Sequence, residues 1–532
     1  MVVVIGSALA VGTVHRPVLL AVSAVALVGG TLAALALGRL PIPALVLGAL
    51  GLFSALQAVP LPASWVLKLS PVSAQIWLRC LSPFGEQLAR FPISLDAGAS
   101  IAEALKWLTY AAVYVLATHV RSRRGSGGLA AVLFASASLV ALITLLHGGS
   151  NIRLLYGIYA PNFAVGRWNV GPLLNSNNLA GYANLGLFAG AGLMLSNRPI
   201  VPRIPSLFAI GVLITALLLS GSRAGVSSTL VCGGAAALWL TKQRGTRTSL
   251  RTWLIAAAPI LLGIAVAVLI GTDKEWGQLA SLDVRRKVAV WRWSLPMIRE
   301  HFWLGVGRGA FETALPPYRN SFAYDWTSVA SHAENFVIQW VAEWGVPVGL
   351  CAVMAIVAYV LREWFGARSD RLRFMLLTGL AALFLQNLAD LGLEIPAVAI
   401  GAVLALAAGE RPSVARRAPH TVMLSNAFAV AAPLLVMWVA TLVWARWPVE
   451  VERRDASQEY RLLRAESPEE RVAFRDQLRD AMLRHPGEPF FPLIGSVLAY
   501  QARDGRALLW IGHALELGPT NGHVHFVLAQ FL

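Results

Sequence analysis

Uncharged apolar runs recur along most of this chain, for example at 18–38 and 129–147. Crossing roughly 30 Å of hydrocarbon takes about 20 such residues in a helix. A chain built from them folds in a bilayer, where only helices and closed barrels satisfy every backbone N–H and C=O. The period-2 alternation of a barrel strand is absent, so the runs read as helices. Composition agrees, with 57% hydrophobic and 14% charged residues against roughly 25% charged in soluble domains.

The formal charge of +16 does not indicate nucleic acid. The basic residues sit in short clusters between apolar runs, with no basic helix face and no aromatic RNA-binding signature. Cys80, Cys232 and Cys351 show no paired spacing, so neither a metal site nor a disulfide framework is expected. Residues 1–14 are apolar but lack a basic leader and a small-residue cleavage site, and they read as part of the membrane domain.

Apolar segments fall near 18–38, 41–59, 101–120, 129–147, 173–196, 204–220, 225–241, 252–271, 334–361, 372–393, 396–409 and 421–446. Five short connections are rich in Arg and Lys, around Arg121, Arg203, Arg247, Arg371 and Arg416. The positive-inside rule makes these five cytoplasmic. The connections 60–100, 148–172, Ser220–Gly225, 272–333 and 390–396 are then extracytoplasmic. The expected fold is all-α, a polytopic inner-membrane domain over 1–446 with about twelve transmembrane helices, or thirteen if residues 1–14 add one. After Trp447 the composition turns charged and helical, which marks residues 447–532 as a small soluble extracytoplasmic domain. Its last helices are similar to one to one and a half tetratricopeptide repeats.

Chemistry in such a chain is carried by the polar groups at membrane edges. Arg223 stands in "LLLSGSRAGVSS", a turn with no room for a loop, where a guanidinium is costly without an anionic partner or a route to the headgroups. The loop 272–333 is basic against the topological trend. Within it Val288, Trp291, Leu295 and Ile298 share helical spacing, which predicts an amphipathic helix lying on the membrane. Arg285, Arg286 and Lys287 open that helix and suit a phosphate or diphosphate. His332, Glu334 and Asn335 stand just before the next apolar segment, where a His or carboxylate can accept a hydroxyl proton or simply cap the helix. Asn175, Asn177 and Asn178 open another span and are suited to sugar hydroxyls or to capping.

Four stretches, taken in order, resemble the O-antigen ligase and Wzy polymerase family of bacterial polysaccharide enzymes: "NSNNLAGY", "SGSRAG", "WRWSLPMIREHFWLGVGRGAF" and "HAENFVIQWVAEWG". The segment "FPISLDAGAS" resembles a further habit of that family. The resemblance implies a GT-C-like, metal-independent glycosyltransferase without cofactor. Such enzymes take a glycan from undecaprenyl diphosphate and join it to an acceptor hydroxyl on lipid A-core, on another lipid-linked glycan or on a protein. Carried over position by position, Arg223 takes the Ser-Arg place. The loop cation four residues before Trp291 is Lys287, with Arg285 and Arg286 beside it, and Arg286 is the preferred phosphate ligand. The family His precedes its Asn directly, a place held here by Glu334, while His332 lies two residues earlier. His332 is favoured as base because a neutral imidazole titrates near working pH. Asn175, Asn177 and Asn335 are implied to contact substrate.

Two other classes compete. A lipid or polysaccharide transporter fits a dozen helices, but transporters hold substrate near the bilayer midplane, often between repeated halves, and no repeat is visible here. A scaffold recruiting polysaccharide-assembly proteins through its C-terminal helices accounts for that domain and not for the loop arginines.

Overall fold

The computed structural model describes residues 1–161, 165–196, 200–244, 285–320, 330–411, 448–462 and 468–532. The expected spans 252–271 and 421–446, and the first part of the large loop at 272–284, lie outside the described residues. The described chain is mostly helix, with one antiparallel ribbon pairing Leu61–Pro62 with Arg90–Phe91.

In chain order the helices before the large loop are α1 (Val2–Leu9), α2 (Arg16–Leu37), α3 (Ile42–Gln57), α4 (Ala63–Leu69), α5 (Pro71–Cys80), α6 (Ala97–Arg124), α7 (Ser126–Gly149), α8 (Ser176–Leu195), α9 (Arg203–Leu219) and α10 (Arg223–Arg244). The loop contributes α11 (Arg285–Glu300) and α12 (Phe311–Ala314), followed by α13 (Phe336–Trp344), α14 (Val346–Gly366), α15 (Arg371–Gln386) and α16 (Pro396–Gly409). Last come α17 (Val449–Leu462), α18 (Pro468–Arg484), α19 (Phe490–Gln501), α20 (Ala507–Leu517) and α21 (Gly522–Phe531).

Four of these are long and apolar enough to cross a membrane: α2, α7, α14 and the stretch Arg371–Ala389 that begins with α15. The bundle turns apolar side chains outward, with Ile42 and Leu230 each 70% exposed. A bilayer tolerates such a surface and water does not. Small residues bring the helices close. A Cβ on Gly30 of α2 would lie 2.8 Å from the backbone oxygen of Ala112 in α6, the close approach that membrane helices use in place of a hydrophobic driving force.

Three expectations change. Residues 1–14 form an eight-residue helix, about 12 Å long at 1.5 Å per residue. It ends in a turn with φ of 53°, 64° and 65° at Val11, Gly12 and Thr13, so α1 is too short to be a thirteenth crossing. The apolar segment 334–361 is two helices, broken at Gly345 with φ 80°. A Cβ there would sit 2.5 Å from the Trp303 carbonyl oxygen, so glycine makes the break possible. In α11 the buried stripe is Val290, Trp293 and Met297 rather than Val288, Trp291, Leu295 and Ile298, and Leu295 is 52% exposed. Both stripes have helical spacing. The first packs against Val66, Trp77 and Phe91 of the segment 60–96, a protein surface that the sequence pattern alone does not reveal.

The long helices sort polar residues to two opposite ends. At one end the Arg121 guanidinium donates to the carbonyls of Ala407 (2.7 Å) and Glu410 (2.8 Å) and to the Glu410 carboxylate. Arg373 donates to the Gly409 carbonyl at 2.9 Å. These groups close the last turn of α6, the first of α15 and the last of α16. The other ends of the same three helices carry Asp96, Gln386 and Glu394. Asp96 caps α6 by accepting from the Ala99 N–H at 2.8 Å.

The C-terminal helices share a core with the segment before α6. Cys80 and Leu81 are buried among Val449, Phe474, Met482 and Phe491. Polar contacts fix the seat. His485 Nδ1 lies 2.8 Å from the Asp96 carboxylate, Arg479 grips Glu86 with two nitrogens, and Arg453 reaches Glu312 at 2.9 Å.

Candidate active site

The polar residues singled out in the sequence lie at the Asp96 end of the bundle, and most are joined to one another. Asn175 caps α8, its side-chain oxygen accepting from the N–H groups of Asn177 (2.8 Å) and Asn178 (3.3 Å). Asn177 is not a cap. Its Oδ1 accepts from the Ser222 hydroxyl at 2.7 Å, which ties the "NSNN" stretch to the Ser-Arg turn 45 residues away. The same Ser222 hydroxyl accepts from the Gly225 N–H at 3.2 Å, so Arg223 begins α10 immediately after a capped turn and is half-buried.

From there a seam of contacts runs through the loop between α15 and α16. Gln386 donates to the Asn177 carbonyl and to the Asp390 carboxylate, both at 2.8 Å. Lys287 donates to the neighbouring Ala389 carbonyl and pairs with Glu334 at 2.9 Å. Asn335 caps α13 by accepting from the Val337 and Ile338 N–H groups, and its amide donates to the Leu388 carbonyl at 2.8 Å. Lys287, Glu334 and Asn335 are half-buried, whereas Arg285 and Arg286 are exposed at the start of α11. The cation in the place implied by the resemblance is thus the one that faces inward.

His332 is held by its neighbours. Ala333 is pinned from both sides, its N–H donating to Gln339 Oε1 at 2.7 Å and its carbonyl accepting from the Trp291 indole at 2.8 Å. Glu334 has φ 50°, a left-handed conformation that turns its side chain toward Lys287 and leaves Asn335 to start the helix. Burial lowers the His332 pKa below its ordinary value. Glu394 and Glu103 act against that shift, while Lys106 and Arg308 add to it. The shift favours the neutral imidazole, the form a general base requires.

Behind His332 lies a cluster that the sequence reading did not assign. Arg308, 2% exposed, pairs with Glu343, Glu394 and Glu103, the last at 3.2 Å, and sits over the Trp344 ring at 5.1 Å. Burial alone would lower its pKa, but the three carboxylates raise it. Lys106 pairs with Glu103, and the Trp340 indole donates to Glu394 at 3.2 Å. The backbone that carries Arg308 depends on glycine. Gly307 has φ 101°, and a Cβ there would lie 2.2 Å from the Ser94 hydroxyl oxygen. A signal for this cluster exists in the sequence: Glu103, Glu343 and Glu394 are acidic residues inside or beside apolar segments, and such residues mark function or a buried partner.

The arrangement offers half-buried and exposed cations, a neutral imidazole and amide groups at one end of a helical bundle. It suits an anionic leaving group beside a hydroxyl that loses a proton. Residues 208–353 match the family model Wzy_C, described as O-antigen ligase. The matched stretch contains Arg223, Arg285, Arg286, Lys287, Arg308, His332, Glu334 and Asn335, and Asn175 and Asn177 lie before it. No curated protein and no solved structure matches the chain.

Proposed function

Starting from the O-antigen ligase match over 208–353, we propose that the chain is a metal-independent glycosyltransferase of the bacterial inner membrane. It moves a glycan from undecaprenyl diphosphate to an acceptor hydroxyl on the extracytoplasmic face. A second lipid-linked glycan is the acceptor we favour, because the C-terminal unit 447–532, read as tetratricopeptide-like, gives a growing chain somewhere to rest. The bundle carries about twelve crossings in this reading. The Arg121 and Arg373 end faces the cytoplasm, in keeping with the positive-inside rule.

One observation carries the proposal. Five stretches far apart in the sequence are linked through the Asn177–Ser222, Gln386–Asn177, Lys287–Glu334 and Asn335–Leu388 contacts. In the reaction the acceptor oxygen attacks the anomeric carbon, and the carbon–oxygen bond to the diphosphate breaks with its electron pair leaving on phosphate. Arg223 and Arg286, with Arg285 and Lys287 beside them, stabilise that charge. Preorganised donors in a poorly hydrated site lower such a barrier by several kcal/mol. His332 takes the hydroxyl proton and releases it to water afterwards. Glu334 is already engaged by Lys287, so it orients the cation and is not the base.

The test is glycan transfer from a lipid-linked donor by purified variants. Arg223→Ala abolishes transfer while the protein stays folded and inserted, and Arg223→Lys restores little, since a point charge cannot reproduce a planar fork on two phosphate oxygens. Full activity of Arg223→Ala would reduce that residue to a headgroup anchor and remove the main phosphate contact from the proposal.

A further inference from the structure

A cavity of about 170 Å³ with a mixed polar and apolar lining lies between the large loop and the C-terminal helices, and the reaction above does not use it. The loop side is formed by Glu312, Arg319 and Ala330, the other by Arg453, Phe490 and Thr520. Its volume equals the share of about six water molecules, the bulk of a single sugar ring.

The chemistry of the lining is specific. Arg453 pairs with both Glu312 and Glu488 and the Arg319 guanidinium lies over the Trp293 ring, so the charged groups of the lining already have partners. A strongly anionic or cationic ligand gains little there. Arg453 is largely buried, and its Nε has no hydrogen-bond partner among the described residues. Burial pushes the Glu312 carboxyl up to about 7, with Arg453 opposing and Glu450 and Glu488 assisting. Near neutral pH it therefore both donates and accepts, as recognition of a hydroxyl requires. Phe490 gives an apolar wall for the C–H face of a ring.

The position matters as much as the lining. Ala330 is two residues from His332, which sets the cavity wall within about 7 Å of the candidate base along the chain. We propose that this cavity is a second glycan subsite, holding a neutral sugar unit of the acceptor chain next to the unit that reacts. The word acceptor rests on the transfer reaction proposed above; the saccharide site itself does not.

The experiment measures equilibrium binding to the full-length protein in lipid nanodiscs. The probe is the oligosaccharide released by mild acid from the host's own lipid-linked precursor and labelled at its reducing end. Wild type binds the probe. Thr520→Trp, which fills the cavity, and Phe490→Ala, which removes its apolar wall, each weaken binding about tenfold or more, equivalent to at least 1.4 kcal/mol. Arg454→Ala, exposed on α17, binds as wild type. Absence of binding in wild type overturns the assignment, as do equal affinity in both folded variants and competition by a Ser/Thr-rich peptide in place of the saccharide. A parallel transfer assay separates the two proposals. Saccharide binding without any transfer sinks the enzymatic reading alone, and transfer with undiminished binding in the two cavity variants sinks the subsite alone.

Discussion

The seam along Lys287, Glu334 and Asn335 and the cluster around Arg308 are built from the same residue types at the same end of the bundle, and their chemistry is opposite. Arg308 is buried and surrounded by three carboxylates, so its charge is spent on holding α6, α13 and the loop before α16 together. In the seam Lys287, Glu334 and Asn335 are half-buried, and Arg286 beside them is exposed. A fully matched buried charge fixes geometry. A partly exposed one retains capacity for a ligand. Stability and activity should therefore separate between the two regions.

The largest effect is expected at Arg308. Arg308→Ala leaves three buried carboxylates without their common partner, and breaking a buried pair in this way costs about 3–5 kcal/mol. Thermal unfolding in detergent should show a much less stable protein. A variant with wild-type stability and lost transfer would move Arg308 into the catalytic group and erase the contrast.

Next comes His332→Ala, which should keep the fold and lose most of the roughly 100- to 10,000-fold that a general base contributes. Glu334→Gln should be mild by comparison. Rates in the reverse order would make Glu334 the base, and near wild-type rates in both would place the base elsewhere.

The pH dependence sharpens the same division. Because burial lowers the His332 pKa, the neutral imidazole persists below its ordinary value, and transfer should fall only at a pH clearly under about 6.5. An acid limb at or above that value would exclude His332. His485 behaves oppositely. Burial opposes its charge, but Asp96 and Glu452 prevail and raise its pKa to about 9. Its folded value exceeds its unfolded value, so its contribution to stability is complete below about 6.5 and is lost as pH rises through about 9. Alkaline titration through that range should loosen the C-terminal helices. His485→Ala should remove that transition.

Much of the seam was legible because its members stand at the ends of apolar runs, where a polar residue is conspicuous. Arg223, Asn175 and the His332–Asn335 stretch could be named on that ground. Which run ends adjoin was not legible. The partner of Asn177 is 45 residues away and that of Arg308 in α6 lies about 200 residues away, so Glu103 and Glu394 each read as an isolated acid. The stripe chosen for α11 was the less buried of two alternatives, since nothing in the helix's own sequence reveals the Trp77 and Phe91 surface that the other stripe meets. The break at Gly345 was hidden inside a continuous apolar segment, where a glycine is usually a packing residue.

The contacts that seat the C-terminal helices also say something about how the molecule is assembled. Cys80 and Met482, Glu86 and Arg479, and Asp96 and His485 are 402, 393 and 389 residues apart. Pairings so remote in sequence close late, after the chain between them has been synthesised and inserted. Until residues 449–532 arrive, Cys80 and Leu81 lack the cover they have in the finished structure, where Cys80 is fully buried. The Cys80 thiol is thus a natural clock, open to alkylation during biogenesis and closed once the last helices have taken their seat.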